Sequence, residues 1–342
     1  FGYRFHLLLM VSKLRWTVYR TRLNVKEFQL IEHYFRNKGL KRRDVELSIG
    51  DDCALVNPAD NKSLAISCDT LVENVHFLAD IPAHALGYKS LAVNLSDLAA
   101  MGAEPAWFTL ALTLPDVDQS WLAHFSEGLF EIAEYYGIAL IGGDTTRGPR
   151  SISITINGQV PKGTALTRDG AKIGDWVYVT GTLGDSALGL DILRGVKTVN
   201  TEDKEYLINR HYYPTPRVLA GQALRTLATS AIDLSDGLMS DIGHILTASK
   251  VGAVIDVNQI PLSNSIKANL SHEDALSYAL TGGEDYELLF TVPESQRGAI
   301  DTALIHAGVK FVKIGQISAG DKLKLVENGL EFNPISRGFV HF

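Results

Sequence analysis

The apolar positions of this chain change period several times along its length. Near the start of the folded part, Phe28, Ile31, Tyr34 and Phe35 recur at helical spacing. A Gly-Asp-Asp turn follows at 50–52, and the pattern then predicts a short buried strand over 64–67, ending at Cys68 and Asp69. Residues 83–101 predict a helix, with Leu86, Leu91, Val93, Leu95 and Leu98 making it largely apolar. The apolar run 107–114, bounded by Pro105 and Pro115, reads as a strand, and 119–136 as a second amphipathic helix. A strand over 138–141 runs straight into Gly142-Gly143-Asp144, and 151–160 alternates with the strand period.

Residues 161–175 break the pattern with glycine, lysine and aspartate, and read as a connector. Beyond it the same reading predicts a strand at 176–180, helices at 184–194 and 216–228, and a strand at 252–257. A helix at 273–279, a glycine turn at 282–283, a strand at 286–292, a helix at 295–307 and strands near 310–317 and 322–326 close the chain. Both halves are mixed α/β. A length of 342 residues suits two domains of roughly 150 residues each. The expected division is an extension at 1–24, an N-terminal domain at 25–160 and a C-terminal α/β domain at 161–342.

Composition narrows the class. With 46% apolar and 21% charged residues the chain reads as a soluble globular protein, and no run approaches the ~20 apolar residues that span a membrane. Two cysteines, Cys53 and Cys68, are too few for a disulfide framework and fit a reducing cytoplasm. Residues 1–24 carry Arg4, Lys13, Arg15, Arg20 and Arg22 and no acid, so they differ from the body. The whole chain is nevertheless at −7, which argues against a nucleic-acid-binding face. Carboxylates bind magnesium and magnesium binds phosphate, so an acidic body is compatible with polyphosphate chemistry.

One feature recurs: an acid beside glycine or serine at the end of an apolar run. It appears at Gly50-Asp51-Asp52, Ser67-Cys68-Asp69, Ser96-Asp97, Gly143-Asp144, Asp233-Leu234-Ser235-Asp236 and Gly283-Glu284-Asp285. Such an acid projects a hard oxygen ligand into a crevice, and the adjacent glycine lets the backbone approach a ligand. A turn or a helix cap explains any single instance as well. On pattern alone a metal or phosphate site and a set of independent turns both stand. The G-x-x-x-x-G-K-[ST] phosphate loop, the H-R-D and D-F-G kinase signatures, zinc-type Cys/His spacing and the Gly-x-Ser-x-Gly elbow are all absent from the sequence.

Seven strings occur in a distinctive order: GDDCA (50–54), DTLVENVHF (69–77), AVNLSDLAAMGAEP (92–105), LIGGDTTRGP (140–149), ALTRDGAKIGDWVYVTGTLGDSALGL (165–190), AIDLSDGL (231–238) and TGGEDYELLF (281–290). Together they resemble the bacterial thiamine-monophosphate kinase family from about residue 25 to the C-terminus. The resemblance implies a two-domain α/β fold like that of aminoimidazole ribonucleotide synthetase, with N-terminal domains pairing in a homodimer. It implies ATP and thiamine monophosphate as substrates, several magnesium ions as cofactor, and a cytoplasmic enzyme without nucleic-acid or membrane partners. By the same resemblance Asp52, Ser67, Cys68, Asp69, Asp97, Asp144, Asp233 and Asp236 are metal-binding positions. Gly143, Asp144, Arg168 and Ser235 are nucleotide positions, and His76 and Glu284 are substrate positions. Cys68 departs from the family threonine, and a thiol is a poor magnesium ligand, so either its carbonyl makes the contact or coordination is weaker. Ser336 stands where the resemblance leads one to expect a tryptophan packing on thiamine, and Phe339 is the substrate position expected in its place.

The implied reaction is a direct in-line transfer onto an acceptor that is already an ionised phosphate, so no catalytic base is assigned. Two other readings remain open at this point. One is an ATP-using synthetase of the same superfamily. The other is a non-catalytic sensor of nucleotide or thiamine phosphate.

Overall fold

The computed structural model describes residues 27–36 and 38–333; the expectations for residues 1–24, Ser336 and Phe339 lie outside them. The predicted opening helix is a short α turn, Glu27–Leu30, that widens into a π turn at Ile31–Phe35 and buries Tyr34 and Phe35. A small antiparallel pair follows, β1 (Val45–Leu47) with β2 (Leu55–Val56).

The N-terminal half is built on a sheet of β3 (Lys62–Val72), β4 (Glu104–Leu114), β5 (Ala139–Arg147) and β6 (Ser151–Pro161). Among the described residues its order is β3-β6-β4-β5, with only β4 and β5 parallel. β3 is much longer than the pattern predicted. It pairs with β6 over its whole length, from Lys62↔Pro161 to Val72↔Ser151, while Leu64, Ile66, Cys68 and Thr70 point outward and stay exposed. A half-exposed strand carries no continuous apolar run, so the sequence pattern captured only its middle. β4 starts earlier than expected and takes in Pro105, which the ladder accommodates at a register shift between Pro105 and Trp107.

Helix α1 (Ala83–Ala100) and helix α2 (Gln119–Tyr136) pack against each other on the other side of this sheet. Asp118 caps α2 by accepting from the Ser120 and Trp121 amides, and Gly137 closes it at φ 66°. The two helices touch through glycine. A Cβ on Gly87 would lie 2.0 Å from the Phe125 carbonyl, and one on Gly128 would lie 2.0 Å from the His84 carbonyl.

The C-terminal half contains β7 (Trp176–Thr180), α3 (Asp185–Leu193), α4 (Thr201–Tyr212), α5 (Val218–Leu224) and β8 (Ser230–Asp233). It continues with α6 (Leu238–Ser249), β9 (Gly252–Asp256), α7 (Asn264–Asn269), α8 (His272–Thr281), β10 (Leu288–Val292) and α9 (Arg297–His306). β11 (Phe311–Ser318), β12 (Leu323–Glu327) and β13 (Leu330–Glu331) complete it. Its sheet has the order β13-β12-β9-β11-β7-β10-β8 among the described residues, and only β12 and β9 run parallel.

Three differences from the sequence reading have local causes. α4 was not anticipated, because TEDKEYLINRHY buries only Leu207 and His211 and shows little apolar periodicity. The helix expected over 216–228 stops at Leu224, where Arg225 turns extended and Thr226 takes a left-handed φ of 66°. The strand expected from 286 starts at Leu288, because Glu284 and Tyr286 are left-handed, at φ 66° and 51°.

The halves share one core. Leu86, Leu91, Leu95 and Leu98 of α1 belong to an apolar cluster that continues into Val218, Leu224, Ala231 and Phe290. The approach is close: a Cβ on Gly221 of α5 would lie 1.9 Å from the Ala99 carbonyl. No described helix is long and apolar enough to cross a membrane.

Candidate functional site

Packing of α1 between the two sheets decides where the acids go. Asp69 points inward from β3, Asp97 stands on the last turn of α1, and Asp233 ends β8. All three line one cavity of about 380 Å³, together with His76, Ser235, Asp236 and Glu284. The structure thus brings seven of the predicted positions to a single wall.

Each acid is held by short polar side chains. Ser67, two residues before Asp69 on the same face of β3, donates its hydroxyl to Asp97 Oδ2. Ser96 donates to Asp233 Oδ2 at 2.7 Å across the junction between the halves. The Asp69 amide donates to Asn94 Oδ1 at 3.3 Å. His76 is oriented by the Val72 amide, which donates to its Nδ1 at 3.1 Å. Loop residues after β8 and before β10 run side by side: the Glu284 amide donates to the Ser235 carbonyl at 2.8 Å, and the Tyr286 amide to the Leu234 carbonyl at 2.9 Å.

Electrostatically the wall is under strain. Burial and the nearby Asp97 push the Asp69 carboxyl up to about 6. Burial also raises Asp97, against the hydroxyl of Ser67 and the charge of Arg168. Asp233 is raised by burial first and by Asp97 second. Among the described residues, no lysine, arginine or histidine forms an ion pair with any of these three. Asp236 also lies beside Asp241 and His244, with ligand atoms within 4.8 Å of one another. Asp241 accepts from the Asp236 and Gly237 amides at 3.1 Å each, and burial pushes its carboxyl up to about 7.

Other predicted positions fall elsewhere. Asp52, Gly143 and Asp144 line a second cavity of about 560 Å³ at the β5 edge, with Phe35, Arg36 and Cys53. Gly143 is required there by contact and by conformation: its φ is 152°, and a Cβ would lie 1.9 Å from the Leu110 carbonyl. Arg168 is exposed on the segment between the sheets, within electrostatic reach of Asp97. Cys68 faces away from Ser67 and Asp69, and its Sγ accepts from Thr155 Oγ1 at 3.4 Å on the outer face of the sheet. Its thiol is therefore not brought to the carboxylates.

Several contributors escaped the sequence reading. Asn94 and Ser96 stand in the sequence only as members of the string Asn94-Leu95-Ser96-Asp97, which assigns them no role, and Lys89 and His211, behind Glu284, give no signal. Arg194, after α3, brings a cation to the rim of the first cavity. The i, i+3 spacing of Asn94 and Asp97, which puts polar groups on one stripe of an apolar helix, was the available clue.

Known proteins match the chain over most of its length. Residues 50–160 match the model of the AIR synthase related protein N-terminal domain, and residues 172–328 that of the C-terminal domain. Thiamine-monophosphate kinase of Escherichia coli (strain K12) is 58% identical over 318 residues, covering 92% of this chain and 98% of that protein. The crystal structure of thiamine-monophosphate kinase from Stenotrophomonas maltophilia K279a is 45% identical, with a TM-score of 0.79 over 83% of this chain and 92% of that one. AaThiL complexed with AMPPCP and TMP is 33% identical, with a TM-score of 0.73 over 84% of this chain and 89% of that one. With both domain models matched in order and such identity over nearly its whole length, the chain belongs to the thiamine-monophosphate kinase family of AIR synthase related proteins.

Proposed function

We propose that this chain transfers the γ-phosphoryl group of ATP to the phosphate of thiamine monophosphate, giving thiamine diphosphate and ADP. The observation that carries this reading is the meeting of Asp69, Asp97 and Asp233, from three distant parts of the chain, in one cavity with His76 and Glu284. The identity to kinases of this name and the likeness to a complex with AMPPCP and TMP support the choice of substrates.

Magnesium suits the donor set. The converging groups are carboxylate and hydroxyl oxygens, which are hard ligands, and like charges buried together call for a cation. Asp69, Asp97, Asp233 and Asp236 would hold ions at the first cavity, with Ser67 and the Cys68 carbonyl beside them; Asp52 and Asp144 would do so at the second. Bound there, magnesium supplies neutralisation of the charge on the transferring phosphates. The chain's own residues do the positioning. Gly143 admits the nucleotide close to the backbone, Arg168 and Ser235 contact its phosphates, and His76 and Glu284 hold the acceptor. The acceptor phosphate is ionised near neutral pH, so in-line attack needs no side-chain base.

A second copy completes the reading. Asp144 and Asp69 lie on strands at opposite edges of the N-terminal sheet, three strand spacings or roughly 14 Å apart. Two copies pairing through the outer sheet face would cover Leu64, Ile66 and Cys68 and join the β5 edge of one to the β3 edge of the other. We place the activity in the cytoplasm, where ATP is supplied.

A coupled assay with ATP and magnesium, with and without thiamine monophosphate, tests the proposal. ADP and thiamine diphosphate should appear in equal amounts and only with the acceptor. Nucleotide binding without turnover would indicate a sensor instead, and ADP release only with an amide or selenide acceptor would indicate a synthetase.

A further inference from the structure

Behind the acidic wall lies a buried cation. Lys89, on α1, is fully buried, although its neighbours along the helix are apolar or small. Taking an ammonium out of water costs several kcal/mol unless partners replace the lost hydration. Two partners are present. Lys89 Nζ lies 3.2 Å from Glu284 Oε1 and 3.3 Å from Nε2 of His211, a residue of α4 that is itself buried.

These contacts fix the proton on the imidazole. An ammonium only donates, so His211 Nε2 accepts and the ring proton sits on Nδ1. Burial, with Lys89 and Arg194 nearby, pushes His211 down to about 2, which keeps the ring neutral. Nδ1 lies 3.1 Å from Ser186 Oγ and 3.4 Å from Glu284 Oε2. The Ser186 hydroxyl is the nearer partner of Nδ1, and the two Glu284 oxygens lie against Lys89 on one side and the imidazole edge on the other. The residue's backbone is left-handed, at φ 66°, and is secured by its amide on the Ser235 carbonyl. Its side chain is still 25% exposed, and it faces the cavity.

We propose that Lys89 and the Nδ1–H form of His211 are positioning residues: they clamp Glu284 so that its side chain is presented to the permanently cationic thiazolium part of the acceptor. This rests on Glu284 being an acceptor contact. The clamp draws on α1, α4 and the loop before β10, so the acceptor pocket takes shape only when both halves are packed. A purely structural ion pair would stabilise the same packing without tuning acceptor binding, and kinetics separate the two roles.

The test is a double-mutant cycle with Lys89→Met and Glu284→Gln, read as KM for each substrate beside a thermal melt. Each single variant should raise KM for thiamine monophosphate about tenfold or more and leave KM for ATP unchanged. In the double variant, Lys89→Met should add no further rise. If Glu284→Gln leaves KM unchanged, the assignment of Glu284 fails and the clamp with it. A rise for Glu284→Gln but not for Lys89→Met, fully additive effects, or an equal loss for both substrates overturns the clamp alone. Should Lys89→Met fail to fold, His211→Phe decides. It should raise KM for thiamine monophosphate, and His211→Asn, whose amide can replace Nδ1–H, should restore it; an unchanged KM in His211→Phe, or no rescue by His211→Asn, overturns the proposal.

Discussion

Four consecutive residues, Glu284 to Glu287, meet four different environments. Glu284 faces the cavity and Lys89. Asp285 caps α3, accepting from the Gly184 amide at 2.6 Å and the Ser186 amide at 3.3 Å, although burial pushes its carboxyl up to about 8. Tyr286 is buried among the site acids, and Glu287 is buried against arginine. In the sequence of this run, Glu284 and Asp285 read as acids beside a glycine turn, and Tyr286 and Glu287 as the start of a strand. The strings carrying it were legible because they match a family; the partners were not, because Ser96 and Asp233 stand 137 positions apart and leave no local signal. The converging acids lead to a prediction with opposite signs. Asp97→Asn should lower kcat/KM by roughly 100-fold or more, since it removes one of the proposed magnesium ligands that neutralise the transferring phosphates. The metal-free variant should melt no lower than wild type, because one of three repelling carboxylates is gone. ADP release and a melt in EDTA measure both, and undiminished turnover would remove Asp97 from the site.

At the scale of elements, the ion cluster around Glu287 holds α4 and the segment leading into α5 against the C-terminal sheet. Its carboxylate accepts from Arg217 Nε at 2.6 Å, Arg210 Nη2 at 3.1 Å and Thr180 Oγ1 at 2.7 Å. Burial raises its pKa, but the two arginines and the threonine outweigh it and hold the group below 4.5. A carboxyl lowered in the fold contributes stability above its unfolded pKa and loses it as pH falls through the folded value. Glu287→Gln should therefore cost about 3–5 kcal/mol at pH 7, leaving two arginines without their partner. The gap from wild type should narrow as pH drops below about 4.5. Urea unfolding across that range reads it, and a gap independent of pH would exclude this cause. The helix carrying Arg210 was not legible, since polar α4 is held by these contacts and by the Asn200 cap rather than by an apolar stripe. β3 was half legible for a related reason: one face belongs to the core and the other stays open.

For the molecule as a whole, that open face is where the proposed pairing is tested. Ile66 is 63% exposed in the middle of it. Ile66→Lys should shift the sedimenting species from dimer to monomer and reduce turnover in step with the dimer lost. A fully active monomer would show that one copy holds a complete site. The general architecture, mixed α/β in two halves, was legible from pattern and length. The shared core was not, because packing α1 against α5 through Gly221 depends on surfaces that meet only after both sheets form. That one helix has a consequence for recombination. α1 presents Asp97 to the cavity, Ser96 to Asp233 and Lys89 to Glu284, so its sequence is written jointly by both halves. A chimera joining the first half of one relative to the second half of another must inherit these pairs together, and the connector at 161–175, though open to solvent at many positions, is no neutral crossover point.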